Sequence, residues 1–269
     1  MHPWLRKFFG MNWLVFGLML ALLAYGIYAI YSATWMRNEN FWSSQLVWLC
    51  LCLPMYFIVS LVDYRWVRFG AVPLYVLGIL GLVATMLIVA IAIVPLVVNF
   101  GLKPYQYSRI TTFLNPDLDP QGDGWNINQS LIAIGSGGFY GKGFKAPNTQ
   151  NELGFLPATI VHNDFIFSVM GEQHGFVGGI ILLAVLTMLF LAALHIAVES
   201  DDDLGRLLAV GIVMLLFTHT FMNIGMTISV TPITGLPLPF ISYGGSFLMI
   251  TLFSMGLLQS VWIHRKTIR

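Results

Sequence analysis

Charge is what this chain has least of. Asp, Glu, Lys and Arg make up 9% of its 269 residues while 57% are hydrophobic, which excludes an ordinary water-soluble domain, where about a quarter of residues are charged. The formal net charge is only +1, so there is no long-range field to gather nucleic acid or a highly charged soluble partner, and no nucleic-acid partner is expected. Cysteine is scarce too. Cys50 and Cys52 stand two apart in an apolar run, where a helix turns them to different faces; this argues against a bridge and for core filling. No Walker or dinucleotide-binding pattern is present.

What the chain does have is long apolar runs. Crossing ~30 Å of hydrocarbon at ~1.5 Å per residue takes about 20 residues, and six stretches qualify: approximately 12–32, 44–62, 71–100, 164–197, 207–228 and 242–263. The chain reads as an all-α polytopic membrane protein forming a single membrane domain, with three spans in 1–100, a large extramembrane loop over 101–163 and three spans in 164–269. The third run is over-long, which tilt or a kink at Pro95 would accommodate. The fourth is also over-long, so its first turns, with Asp164, Glu172 and His174, are expected at the interface or in a polar cavity. With the N-terminus in the cytoplasm, Arg6, Lys7, Arg65, Arg68, Arg206, Arg265, Lys266 and Arg269 fall inside. Arg37, Lys103, Arg109, Lys142 and Lys145 then fall outside, most of them in the long loop, so both termini are expected to be cytoplasmic. The first span reads as a retained helix rather than a cleaved signal. Glu199, Asp201, Asp202 and Asp203 read as a solvated connector whose acids suit the start of the next helix.

The 101–163 loop is rich in Gly, Pro and Asn. Within it, Asn126 to Ile134 is expected to form a short helix ended by Gly135-Ser136-Gly137-Gly138. Gly141 and Gly143, around Lys142, allow sharp turns or close approach to a ligand. Several weaker signals carry less. Asp117, Asp119 and Asp123 resemble the start of a calcium loop, but Asn128 stands where a bidentate Glu is needed. The sequon at Asn128 is a common chance match, His162 and His174 have no metal-ligand spacing, and His195 and His219 read as packing residues. Asp164 is different: it opens the apolar run Asp164-Phe-Ile-Phe-Ser-Val-Met where a polar loop re-enters the membrane, and a carboxylate is costly there unless it has a role. Further on, Pro232, Pro237 and Pro239 with Gly235, Gly244 and Gly245 break the backbone at membrane depth. That pattern fits a re-entrant segment lining an outward cavity and, on spacing alone, an ordinary tight loop equally.

Four stretches carry a family resemblance: FLNPDLDPQGDGWNINQSLIAIGSGGFYGKG (Phe113 to Gly143), FLPATIVHNDFIFSVMGEQHGFVG (Phe155 to Gly178), NIGM (Asn223 to Met226) and PITGLPLPFISYGGS (Pro232 to Ser246). Together they resemble the SEDS family of shape, elongation, division and sporulation proteins. GKG and GLPLPFISYGG are closer to its rod-shape (RodA-like) branch than to its division branch. The resemblance runs nearly continuously from about Tyr105 and more loosely before it. It implies a peptidoglycan glycosyltransferase that polymerises lipid II at the outer face of the bacterial cytoplasmic membrane, beside a class B penicillin-binding protein. The family's essential carboxylate matches Asp164, and Arg109, Lys142 and Gln129 fall on polar or basic family loop positions. Where the family has ten spans this chain shows six, and the third looks like one family helix joined to a later one near Met86 to Val89.

Glycosyl transfer from a sugar diphosphate needs a base at the acceptor hydroxyl and positive charge at the leaving diphosphate. Asp164 suits the base. Lys142, Lys145 and Arg109 suit the diphosphate, with or without a divalent cation such as Mg or Mn. Glu172, eight residues on, would project from nearly the same helical face, tuning the acid or holding a polar network. Two other classes stay open: a non-catalytic, shortened scaffold that binds lipid II or a penicillin-binding protein, and a lipid flippase or transporter, which the missing internal repeat disfavours.

Overall fold

The computed structural model describes residues 3–35, 40–67, 123–156 and 161–265. Among these every regular element is helical: α1 (Pro3–Phe9), α2 (Trp13–Thr34), α3 (Phe41–Leu61), a 3-10 turn (Tyr64–Trp66), α4 (Asp123–Ser136), α5 (Ile166–Val198), α6 (Asp203–Thr227) and α7 (Gly245–His264). Five of them, α2, α3, α5, α6 and α7, are long and apolar enough to cross a membrane. The expected third span, 71–100, and Arg109 lie outside the described residues.

Lipid in place of water explains the outer surface. Val47, Leu51 and Ile58 on α3, Ile181 and Leu191 on α5, and Leu207 and Met214 on α6 are all exposed, as hydrocarbon-facing side chains would be. Inward, α7 packs along α3, while α5 packs against α2, α4 and α6. Leu22, Leu186, Leu189, Leu252 and Leu258 fill the seam. Both cysteines are free, Cys50 exposed and Cys52 buried.

The short helix expected over Asn126 to Ile134 is α4, extended a few residues at each end. Its Ser130 hydroxyl lies 2.6 Å from that of Ser168 on α5 and donates at 2.7 Å to the Thr227 carbonyl that ends α6. One small side chain thereby satisfies an open helix end and fixes α4 across two spans. At the opposite end of the bundle Asp203 opens α6 as the acidic connector predicts, and Asp202 accepts from Tyr64 Oη at 3.3 Å.

α5 is one run of sequence but not one straight helix. Gly175 breaks it with φ 64 and ψ −162, values that favour glycine. Ile166 to Gln173 before the break are buried in protein, whereas Phe176, Ile181 and Leu191 after it face outward. Glu172 and Gln173 therefore sit where protein, not lipid, meets their polarity.

Candidate active site

Two loops converge at the end of the bundle where α5 begins. The first is the glycine-rich chain after α4, which docks on the break in α5 and repairs it. Phe176 N and Val177 N, freed by the break, donate to Gly138 O at 2.8 Å and Phe139 O at 3.0 Å. In return Glu172 O and Gln173 O accept from Lys142 N at 2.9 Å and Gly143 N at 3.0 Å. No side chain fits between the two backbones: a Cβ on Gly141 would overlap Gln173 O, and one on Gly175 would overlap Gly141 N. Of the two readings of this glycine-rich stretch, the geometry shows turns packed on the protein's own backbone.

The side chains reinforce that junction. Lys142 Nζ meets Glu172 Oε1 at 2.7 Å, with Glu172 1% and Lys142 27% exposed. Gln150 N donates to both Glu172 oxygens, at 2.8 and 3.1 Å, and Ser136 Oγ reaches Oε1 at 3.4 Å. Beside them Ser32 Oγ on α2 donates to Gln173 Oε1 at 2.6 Å. Glu172 is thus the centre of a polar network, and its buried carboxylate engages the Lys142 ammonium. Lys145 lies over aromatic faces, its Nζ 4.4 Å from the Trp35 ring centroid, 5.3 Å from those of Tyr31 and Phe144, and 3.2 Å from Tyr31 Oη. Gln129 is buried on α4.

The second loop is 228–244, between α6 and α7. Its backbone is irregular, with positive φ at Ser229, Gly235 and Phe240, yet Val230 N and Thr231 N find Gly225 O, and Ile241 N and Ser242 N find Leu238 O, the kind of internal pairing that membrane depth requires. Three successive carbonyls before α5 are gripped by it and by α6. His162 O accepts from Tyr243 N at 3.0 Å, Asn163 O from Ser242 Oγ at 2.6 Å, and Asp164 O from Asn223 Nδ2 at 3.0 Å. Asn223 Nδ2 also donates to Leu236 O at 2.8 Å, and Leu238 N donates to Ser242 Oγ at 2.8 Å. The His162 ring stacks on Phe41, centroids 4.1 Å apart, tying the same turn to α3.

Asp164 is held at the centre of this clamp, half-buried, with Phe165 and Ile166 fully buried behind it. Its Oδ2 faces Gly235, where a Cβ would lie 3.4 Å away. Its Oδ1 is buried with no hydrogen-bond partner among the described residues. Burial pushes the carboxyl's pKa above the ordinary 3.8, because desolvation disfavours the charged form. A carboxylate raised in this way and left without a structural partner is suited to taking a proton. Sequence reasoning singled out Asp164, Glu172, Lys142 and Lys145 separately and missed both the Glu172–Lys142 pairing and the roles of Asn223 and Ser242. Both of the latter lie inside stretches that carry the family resemblance, and Asn223, an amide within an apolar run, was itself a signal.

Compared with known proteins, the family described as cell cycle protein, FtsW/RodA/SpoVE, matches residues 84–267. The peptidoglycan glycosyltransferase MrdB of Escherichia coli K12 is 42% identical over 185 residues, 69% of this chain and 49% of that protein. The peptidoglycan glycosyltransferase RodA of Treponema pallidum is 46% identical over 161 residues, 60% of this chain and 36% of that protein. The chain spans about half the length, or less, of these curated relatives. Among solved structures, the rod shape determining protein RodA of Thermus thermophilus shares the fold with a TM-score of 0.61 at 22% identity, over 95% of this chain and 98% of that one.

Proposed function

We propose, from the premise that the chain belongs to the FtsW/RodA/SpoVE family of cell cycle proteins, that it is a peptidoglycan glycosyltransferase. It would polymerise lipid II at the outer face of the bacterial cytoplasmic membrane in cell elongation and shape. The observation that carries this reading is Asp164, a half-buried carboxylate held by its main chain and left without an ion pair among the described residues. Its position at the loop–membrane boundary supports an orientation with α4 and Asp164 outside. The described ends of the chain, α1 and the last turn of α7, share the opposite end of the bundle, where Lys7 Nζ donates to Leu61 O at 3.2 Å.

In the proposed reaction Asp164 takes the proton of the acceptor sugar hydroxyl as its oxygen bonds to the anomeric carbon of the donor. The bond from that carbon to the diphosphate oxygen breaks, its electron pair leaving with the lipid diphosphate. A single displacement converts the α-linked donor into a β-linked product and needs one carboxylate, in line with the inverting logic of glycosidases. Lys142 and Lys145 serve the loop that frames the site: one is paired with Glu172 and the other lies among aromatic rings. A Mg or Mn ion would neutralise charge on the leaving diphosphate. Among the described residues no group of three His, Cys, Asp or Glu side chains is assembled to hold such an ion. A class B penicillin-binding protein is the proposed partner, on the family resemblance.

The test is polymerisation of lipid II by the purified chain in proteoliposomes, with Asp164→Asn beside it. Glycan strands from the wild type and none from the variant support the reading; equal polymerisation by both removes Asp164 from the base role. A second reading, a non-catalytic scaffold that binds lipid II or the transpeptidase, is favoured by the chain's coverage of about half of its relatives. Binding of lipid II with no polymerisation by the wild type would select it.

A further inference from the structure

We propose that Asn223 is a positioning residue for Asp164: by holding the Asp164 and Leu236 carbonyls on one amide, it fixes where the carboxylate stands against the 228–244 segment. This deepens the reading above and rests on it.

Asn223 is fully buried, at 0% exposure, in the last turns of the largely apolar α6. An amide there costs free energy unless its groups are matched. Nδ2 directs both hydrogens to carbonyls, Asp164 O at 3.0 Å and Leu236 O at 2.8 Å. The orientation of the amide follows, since turning it over would set its oxygen against two other acceptors. Its Oδ1 is buried without a hydrogen-bond partner among the described residues. The side chain therefore spends its donors on joining two distant loops while leaving its own oxygen unmatched, an arrangement that serves loop geometry more than economical burial.

The position of the joint matters. His162 O and Asn163 O are held by Tyr243 N and Ser242 Oγ, so among the described residues it is Asn223 that grips the carbonyl of the acid itself, just ahead of α5. No ion pair holds the Asp164 side chain among the described residues. The titratable groups that share its clamp are His162 on the same turn and Tyr243 on the facing segment. The main chain is what places the acid, and an acid displaced by about an ångström loses up to about a hundredfold in rate.

The test is Asn223→Leu, close in size and compatible with the apolar span, in proteoliposomes. Two readouts are taken: steady-state polymerisation of lipid II, and the titration of the Asp164 carboxyl by infrared spectroscopy of carbon-13 aspartate protein, assigned by difference against Asp164→Asn. The proposal expects kcat to fall about a hundredfold with KM for lipid II within about twofold, and the carboxyl to titrate lower as water reaches the loosened turn. Unchanged kcat with an unchanged titration overturns it, and so does a loss confined to KM. If the wild type makes no glycan, the glycosyltransferase reading fails separately and the spectrum alone decides: a displaced titration supports positioning and an undisplaced one overturns it. Should Asn223→Leu fail to fold, Asn223→Ala, which removes the same two donors with less bulk, is judged by the same two readouts.

Discussion

Lys142 Nζ stands 2.7 Å from Glu172 Oε1 at the break in α5, and the same carboxylate receives Gln150 N on both its oxygens. A buried acid this well matched is a joint: it fastens the 137–156 chain to the first, protein-enclosed part of α5. Removing one partner of a buried pair leaves the other uncompensated and typically costs about 3–5 kcal/mol, less where one member is partly exposed. For Lys142→Met or Glu172→Gln a loss of about 1–3 kcal/mol is expected, with the double variant costing clearly less than the sum. Thermal unfolding in detergent checks this, and additive losses would mean the pair is not coupled.

The raised pKa of Asp164 sets the pH behaviour. Burial lifts the folded-state value above the unfolded one, so the group opposes folding most once pH exceeds the folded value. That penalty fades as pH falls and is absent below the unfolded value. Asp164→Asn should therefore stabilise the protein near neutral pH, with the gain vanishing in acid. As a base, the group must be ionised, so polymerisation should rise with pH through a midpoint above the usual aspartate range. A pH profile with its acidic limb at or below 3.8 would contradict the burial seen here.

Much of this architecture was legible in the residues because lipid imposes simple rules. Apolar length marked α2, α3, α5, α6 and α7, and the glycines after α4 marked a stop. The boundary position of Asp164 marked the acid without any contact being known. What could not be read were relations between segments far apart in sequence. Glu172 and Lys142 are 30 positions apart, and their pairing follows from a break at Gly175 that an uninterrupted apolar pattern conceals. The proline-rich run left a re-entrant segment and a tight loop open, because either satisfies the same spacing. The hydrogen bonds from Tyr243 N and Ser242 Oγ to His162 O and Asn163 O, with Asn223 joining Leu236 O to Asp164 O, show it packed beneath the acid.

Glycine at the break is a steric requirement. Gly175 has φ 64, and a Cβ there would overlap Gly141 N and come within 2.8 Å of Gly138 O and Phe139 C. Gly135, on α4, has nothing within 4 Å. Gly175→Ala should destabilise by more than the roughly 1–3 kcal/mol that so sparsely populated a backbone conformation alone costs a side chain, and should speed amide exchange at Phe176 and Val177. Gly135→Ala should be neutral or slightly stabilising, since it gains helix propensity. Equal effects at the two sites would show that the backbone contact is not tight.

The same comparison can be made on α2, where the consequence reaches the acid. A Cβ on Gly26 would overlap Phe240 O and lie 2.8 Å from Ile241 Cα, whereas Gly17 on the same helix has nothing within 4 Å. Gly26→Ala must therefore push α2 away from the 228–244 segment or move that segment, at a cost of about 1–3 kcal/mol for overpacking. Phe240 already holds a positive φ of 67, so little backbone freedom remains to absorb the push. The displaced stretch includes Ser242 and Tyr243, whose donors hold Asn163 and His162. Polymerisation should consequently fall further in Gly26→Ala than its loss of stability explains, while Gly17→Ala keeps full activity and gains slightly in stability. Activity measured below both unfolding transitions separates the two effects. A Gly26→Ala protein that is destabilised yet fully active would show that α2 supports the fold without setting the position of the acid.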